Sequence, residues 1–329
     1  MTASADMGEE AIAPPSTPFP KANSIDRVHY SDLSPTEFGD RYRTSGTPLI
    51  VQGLLDEEPE WNLAYLRQAL GHQVFPVRHY GQARYQQDKR DWTSFGSGVE
   101  ALSMTFNDYA NHLMSGAAKQ KDLYLARCSL KNTPLEQGHT LCQAEAWFGL
   151  RFPATALNLW VGTGGHTSCL HYDPMDGLLM QLYGAKKVLL FPPSQTYNLY
   201  PVPVYEQLRH GLKLRSAYSK VYPYRPDLQA FPRYAHAMPH GAELVLHPGD
   251  ILFLPAGWCH EVTSLGDDVV CSVNRFWNVF PLSRAVCSWN KWRAHLGSVL
   301  ASPHMVKQWI SAIRHAHSGE ELKKLWQQL

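Results

Sequence analysis

The sequence predicts a mainly β protein of the α+β kind: a double-sheet jelly roll, with a mixed α/β flank before it and helices after it. Three observations predict this. Between Ala154 and Trp277, eight short runs rich in β-branched and aromatic residues are separated by tight-turn residues. Helical three- and four-residue spacing is confined to the segments before residue 115 and after Pro281. Ten Trp and sixteen Tyr lift the aromatic share to 12%, as suits a sheet-rich fold.

Residues 1–25 are rich in Ala, Pro, Ser and Thr and lack periodicity, so they read as a disordered or loosely docked tail. The flank spans 26–152. Ser34, Pro35 and Glu37 there form a helix-start signature: an N-cap, a proline at the first helical position and a capping-box acid. Thr47–Gly53 reads as a strand, Asn62–Leu70 as a helix stopped by Gly71, Val74–Tyr80 as a strand, Thr105–Met114 as a helix and Asp122–Cys128 as a strand. Residues 129–152 read as irregular. The core spans 153–280, with strands at 155–161, 168–173, 177–183, 186–191, 243–247, 251–254, 259–264 and 268–277. Its strands are punctuated by Gly164-Gly165, Pro174, Gly184, Pro192-Pro193, Pro248-Gly249-Asp250, Pro255 and Gly266-Asp267. Residues 194–242 interrupt it as an insertion long enough to be a functional loop or lid. From 281 to 329 the pattern is helical, with helices over 283–299, 305–317 and 320–329 carrying Trp/Leu stripes.

Composition excludes several function classes. A formal charge of +1 gives no broad steering towards nucleic acid or anionic membrane. None of the six cysteines forms a C-x-x-C pair, which argues against a structural zinc site. The first twenty residues lack a basic start followed by an apolar core, and no apolar run reaches the roughly 18 residues of a membrane span. The expectation is an intracellular protein, cytoplasmic or nuclear, with reduced cysteines and no membrane partner.

The chemistry concentrates in Ala154–Phe191. His171-Tyr172-Asp173 is an H-x-D triplet, and in a strand its outer residues share one face because the side-chain period is two. With sixteen histidines in the chain, such a triplet is common by chance, so context decides. Pro174 ends the strand beside the acid, Lys186 follows thirteen residues past Asp173 beyond the Gly184 turn, and His260 opens a distant strand. Two histidines and one carboxylate from two strands make a facial triad, which leaves open positions and suits Fe(II). By the residues alone, Lys186 reads as a solvated charge, and Tyr124 reads equally as a core tyrosine.

Across residues 45–277 the chain resembles the JmjC family of Fe(II)- and 2-oxoglutarate-dependent oxygenases. It is most similar to the small hydroxylase-type members, such as the asparaginyl hydroxylase that inhibits hypoxia-inducible factor. The resemblance rests on His171-Tyr172-Asp173, on Gly184-Ala185-Lys186-Lys187 with Leu190-Phe191-Pro192-Pro193, on Pro248-Gly249-Asp250 with Leu254-Pro255, and on Trp258-Cys259-His260-Glu261-Val262-Thr263-Ser264-Leu265. It implies a cupin-like double-stranded β-helix. It also implies His171, Asp173 and His260 as iron ligands, and Lys186, Ser168 and Tyr124 as contacts to the distal carboxylate of 2-oxoglutarate. Asn274 would line the iron pocket and Trp277 would be a nearby aromatic. One departure is Gly177, preceded by Asp176, where many relatives carry an asparagine near the other cosubstrate carboxylate; Asn274 or Asn158 would then serve instead. The implied reaction consumes 2-oxoglutarate and dioxygen, releases succinate and carbon dioxide, and hydroxylates a C–H bond.

The resemblance favours a protein side chain as substrate. Hydroxylation of a modified tRNA base or small molecule, lysine demethylation and an inactive cupin-like scaffold stay as alternatives. Loop 205–225 interleaves Arg209, Lys213, Arg215, Lys220 and Arg225 with Tyr205, Tyr218, Tyr222 and Tyr224, which suits either an RNA grip or a solvated lid. The C-terminal stripes imply a homodimer or a cover for one barrel face.

Overall fold

The computed structural model describes residues 25–95, 99–136 and 138–315, together with Phe19. The tail expected over 1–25 lies outside the described residues apart from Phe19 and Ile25, as does the helix expected over 320–329. Phe19 itself is buried and packs edge-on against Phe191 and Tyr224, at 5.8 and 5.5 Å.

The flank begins with β1 (Arg27–His29), α1 (Pro35–Phe38) and β2 (Leu49–Gln52). α1 starts where the sequence signals it: Ser34 Oγ accepts from Glu37 N at 3.2 Å and Ser34 N donates back to Glu37 Oε2 at 3.0 Å. Then come α2 (Leu63–Leu70), β3 (Val74–His79), β4 (Ala101–Thr105), α3 (Phe106–Met114), α4 (Ala117–Lys121) and β5 (Leu123–Ser129). The 129–152 stretch is not wholly irregular, because α5 (His139–Trp147) folds inside it. Leu141 and Ala144 of α5 bury in the main core with Phe148, and one small alanine with two scattered apolar residues gives a weak periodic signal. β4 escapes the sequence for a related reason: it is an edge strand with no buried position.

The core supplies β6 (Asn158–Thr163), β7 (Thr167–Tyr172), β8 (Asp176–Tyr183), β9 (Lys186–Phe191), β10 (Ala242–Leu246), β11 (Ile251–Leu254), β12 (Cys259–Ser264) and β13 (Val269–Trp277). The larger sheet runs β1-β2-β11-β8-β13-β6-β5-β3-β4 and the smaller β10-β9-β12-β7. From β6 to β9 successive strands alternate between the two sheets, and pairings among the core strands are antiparallel. This is a jelly roll whose larger sheet the flank extends at both edges. Ile50, Leu252, Val188, Leu190 and Leu246 fill the space between the sheets, and the helices of the flank cover the outer face of the larger sheet.

Between β9 and β10 the insertion carries α6 (Glu206–His210) and α7 (Tyr234–Ala237). Its 217–219 segment lies along the free edge of β7, with Tyr172 N donating to Ala217 O at 3.2 Å and Ser219 N to Leu170 O at 2.9 Å. After β13 come α8 (Leu282–Cys287) and α9 (Trp289–His315). Two helices were expected with a break near 300–304; instead α9 runs through Pro303. Pro303 has no N–H for the Val299 carbonyl, and the Ser302 hydroxyl donates to that carbonyl at 2.7 Å in its place.

Candidate active site

His171 is the penultimate residue of β7 and Asp173 follows the strand's end. His260, second in β12, is the antiparallel partner of His171, so the pairing of the two strands brings the imidazoles together. Their ring centroids lie 4.3 Å apart, and His260 Nε2 is 3.6 Å from Asp173 Oδ2. One ligand atom from each of the three residues lies within 4.8 Å of the others. His171 Nδ1 bonds the Cys169 carbonyl at 2.8 Å and His260 Nδ1 bonds the Trp258 carbonyl at 3.2 Å. A carbonyl only accepts, so both rings carry the proton on Nδ1 and offer the Nε2 lone pair. Burial, with His171 alongside, pushes the pKa of His260 down to about 4 against the pull of Asp173, so this ring is neutral near pH 7. Two imidazoles and a carboxylate on one side of a cavity are a donor set that fits Fe(II).

Lys186 opens β9 and is 2% exposed, so it is no solvated charge. Its ammonium donates to the Ser272 hydroxyl and to Tyr124 Oη, the latter at 3.5 Å, and makes no ion pair among the described residues. Burial lowers its pKa to about 8. A buried cation among neutral hydroxyls is costly unless an anion joins it, and a ligand carboxylate fits that place. Tyr124 reaches the lysine by crossing β6 at Gly162, where a Cβ would stand 2.3 Å from its ring. The same ring stacks on His166 at 3.7 Å, and His166 is held by Asp122 at 2.7 Å. No local pattern in the sequence marks either of these last two.

Ser168 lines the same cavity as His171 although it lies an odd number of residues away. The cause is a bulge. Between the pairs His260–His171 and Val262–Ser168, β12 advances two residues while β7 advances three. Asn274 is on the cavity wall, whereas Asn158 is off it. Asn158 donates to the Asn274 side-chain oxygen at 3.3 Å and to its backbone carbonyl at 3.4 Å, and so fixes the residue that faces the cavity. Trp277 is a second correction: it buries in the core on the opposite face of β13, and Phe276, in phase with Asn274, takes the cavity side. Phe276 also explains Gly177, where a Cβ would meet the phenyl ring at 3.0 Å. Asp176 turns away from the cavity, accepts from Ala256 N at 2.9 Å and pairs with Arg284 of α8, which ties the C-terminal helices to β8.

The cavity measures about 310 Å³. Its wall includes groups that sequence reasoning did not place there: Tyr218, Trp160, Arg78, Arg127 and Arg215. Tyr218, from the insertion, stacks on His171 with centroids 4.8 Å apart and 12° between planes. The insertion thus builds the site rather than merely covering it. Its other tyrosines mostly turn inward. Tyr222 Oη donates to the Arg84 and Gln87 carbonyls, and Tyr224 Oη to Glu243, which leaves Tyr197 and Tyr205 as exposed rings of the insertion.

A family model described as a cupin-like domain matches residues 35–283. The chain is 32% identical over 188 residues to Lysine-specific demethylase JMJ31 of Arabidopsis thaliana, covering 55% of this chain and 32% of that protein. It is 28% identical over 265 residues to Lysine-specific demethylase 8 of Danio rerio, covering 77% and 58%. To Jumonji C domain-containing protein 5 of Drosophila melanogaster it is 26% identical over 273 residues, covering 77% and 62%. The chain therefore spans less than two thirds of the length of these relatives.

Proposed function

The chain belongs to the cupin-like JmjC family of Fe(II)- and 2-oxoglutarate-dependent oxygenases, and from that premise we propose that it hydroxylates an amino-acid side chain of a protein partner. The observation that carries this is the meeting, in one cavity, of the His171–Asp173–His260 cluster with the buried, carboxylate-free ammonium of Lys186. In this reading His171, Asp173 and His260 hold iron, which with 2-oxoglutarate and dioxygen supplies the oxidising power when bound. Lys186, Tyr124 and Ser168 anchor the distal carboxylate of the cosubstrate, and Asn274, steadied by Asn158, faces its other end. Phe276, Trp160 and Leu252 keep the wall apolar and exclude water. Tyr218 and the Cys169 carbonyl hold the His171 ring at its angle. Succinate release from 2-oxoglutarate under Fe(II), and a gain of about 16 Da (one oxygen) on a captured protein, are the expected products. Their persistence in His171→Ala or Asp173→Ala would overturn the proposal.

The names of the relatives favour a second reading, lysine demethylation. Hydroxylation of an N-methyl carbon gives a hemiaminal that collapses to the amine and formaldehyde. Formaldehyde release with net loss of CH2 separates this from retained oxygen. We also propose a homodimer through the C-terminal helices, because Leu282, Val286, Trp289, Trp292, Leu296 and Val299 are all exposed there. Light scattering behind size exclusion should give twice the 37.2 kDa chain mass, and Leu296→Glu should halve it. A monomer at every concentration would sink the dimer. No helix among the described residues is long and apolar enough to cross a membrane.

A further inference from the structure

Three guanidinium groups share the cavity with the metal-ligand cluster: Arg78 from β3, Arg127 from the bulged part of β5, and Arg215 from the insertion. No ion pair joins any of them among the described residues. Arg78 has one weak bond, from Nη1 to Tyr80 Oη at 3.4 Å, and Arg215 Nε is buried without a partner. Arg127 and Arg78 are each close enough to Arg215 to repel it. Burial lowers the pKa of Arg215, and the charges of Arg127 and Arg78 push it the same way. Elsewhere the inner arginines are answered in different ways: Arg275 has Glu145 at 2.7 Å, Arg284 has Asp176, and the buried Arg293 donates to the Val202 and Ser216 carbonyls. Among the described residues, the single carboxylate on this cavity wall is Asp173.

Charge balance makes the trio an unexplained feature of the proposed oxygenase site. A divalent metal offsets the two charges of 2-oxoglutarate, and Lys186 offsets Asp173. The three arginines are left over, on the wall beside Tyr218, whose hydroxyl lies in the field of Arg215, Arg78 and Asp173. Clustered guanidiniums without acids are a forked, multidentate receptor for oxyanions.

We propose that Arg78, Arg127 and Arg215 form a subsite for an anionic group of the prime substrate, a carboxylate or phosphate on a peptide, set beside the residue oxidised at the metal. This rests on the oxygenase reading above. A peptide fits better than a polynucleotide. The cations line one cavity rather than tracking along a surface, and the neighbouring loop tyrosines turn inward instead of offering a stacking platform.

The test titrates the full chain, saturated with Mn(II) and 2-oxoglutarate, with inorganic phosphate, capped phosphoserine and capped aspartate amide, by calorimetry. At least one of these anions should bind the wild type, and the stronger of phosphoserine and aspartate names the source of the charge. Binding should weaken at least tenfold in Arg215→Gln and in Arg78→Gln, and recover in part in Arg215→Lys. Melting curves check that each variant folds. No anion bound by wild type, or binding that survives both glutamine variants, overturns the proposal. So does a rise in KM for 2-oxoglutarate in Arg215→Gln as large as that in Lys186→Met, because the arginines would then hold the cosubstrate. A single-stranded RNA oligomer that binds through these arginines with steep salt dependence overturns the peptide form of it. Succinate release is measured in parallel on the wild type. Anion binding without succinate sinks the oxygenase reading and leaves the subsite; succinate without anion binding does the reverse.

Discussion

The cavity treats its cations in two different ways. Lys186 is enclosed, surrounded by neutral hydroxyls and placed by the first residue of a central strand. Arg78, Arg127 and Arg215 are less buried, unpaired and drawn from three separate parts of the chain. The difference teaches what each is for. A rigid, desolvated charge suits one small ligand that never changes. Loosely held forks suit a partner whose shape is set elsewhere.

That contrast can be broken by experiment. The largest effect is expected outside it, as its baseline: Asp173→Ala should lower 2-oxoglutarate turnover at least about 100-fold, with metal affinity falling in parallel. Unchanged iron binding by equilibrium dialysis would refute the triad. Next, Lys186→Met should raise KM for 2-oxoglutarate about 30-fold or more, the equivalent of losing about 2–5 kcal/mol from a buried charge pair. It should also raise Tm, because an uncompensated ammonium leaves the interior. A lowered Tm would mean that the Ser272 and Tyr124 bonds already offset its burial.

The pH dependence has a sign for each property. The folded pKa of Lys186, about 8, lies below its unfolded value of 10.5. Above pH 8 the unfolded chain therefore binds more protons, so this group's contribution makes stability rise with pH up to about 10.5, the ordinary lysine value. Binding of a dianion at the ammonium runs the other way. The kcat/KM for 2-oxoglutarate should fall as pH rises through about 8, and Lys186→Met should flatten that limb. A profile unchanged in the variant would remove the lysine from cosubstrate binding.

Arg284 shows a third treatment, a cation with its own buried acid. Arg284→Ala strands Asp176 and should cost about 3 kcal/mol in denaturant unfolding. The smallest effect is expected at Gly177→Ala, whose Cβ would press on the Phe276 ring from 3.0 Å. The ring must give by a few tenths of an ångström, and KM for 2-oxoglutarate should rise about twofold to fivefold, from under about 1 kcal/mol of strain. A fall in KM would mean that the ring now blocks the pocket.

Much of the frame was legible because its signals are local. Turn residues bracket each jelly-roll strand, and the period of two places His171 with Asp173. The same period would have rejected Trp277 in favour of Phe276, since only the latter is in phase with Asn274. α5 was hidden by its weak apolar stripe, and the continuity of α9 by Pro303, whose lost bond a neighbouring serine makes good. The arginine trio had no sequence signal, because residues 78, 127 and 215 meet only through the folded sheet and the insertion.

The bulge in β7 gives the site a further property. A regular strand counts odd and even, and one extra residue resets the count. At its present length a regular strand would send Ser168, three residues from His171, to the outer side of the sheet; the extra residue at the bulge brings it back, and deleting one residue at 169 or 170 would regularise the strand with Ser168 still on the His171 face. Iron holding and the grip on the cosubstrate are thus written in different phases of one strand, with the bulge as the step that joins them.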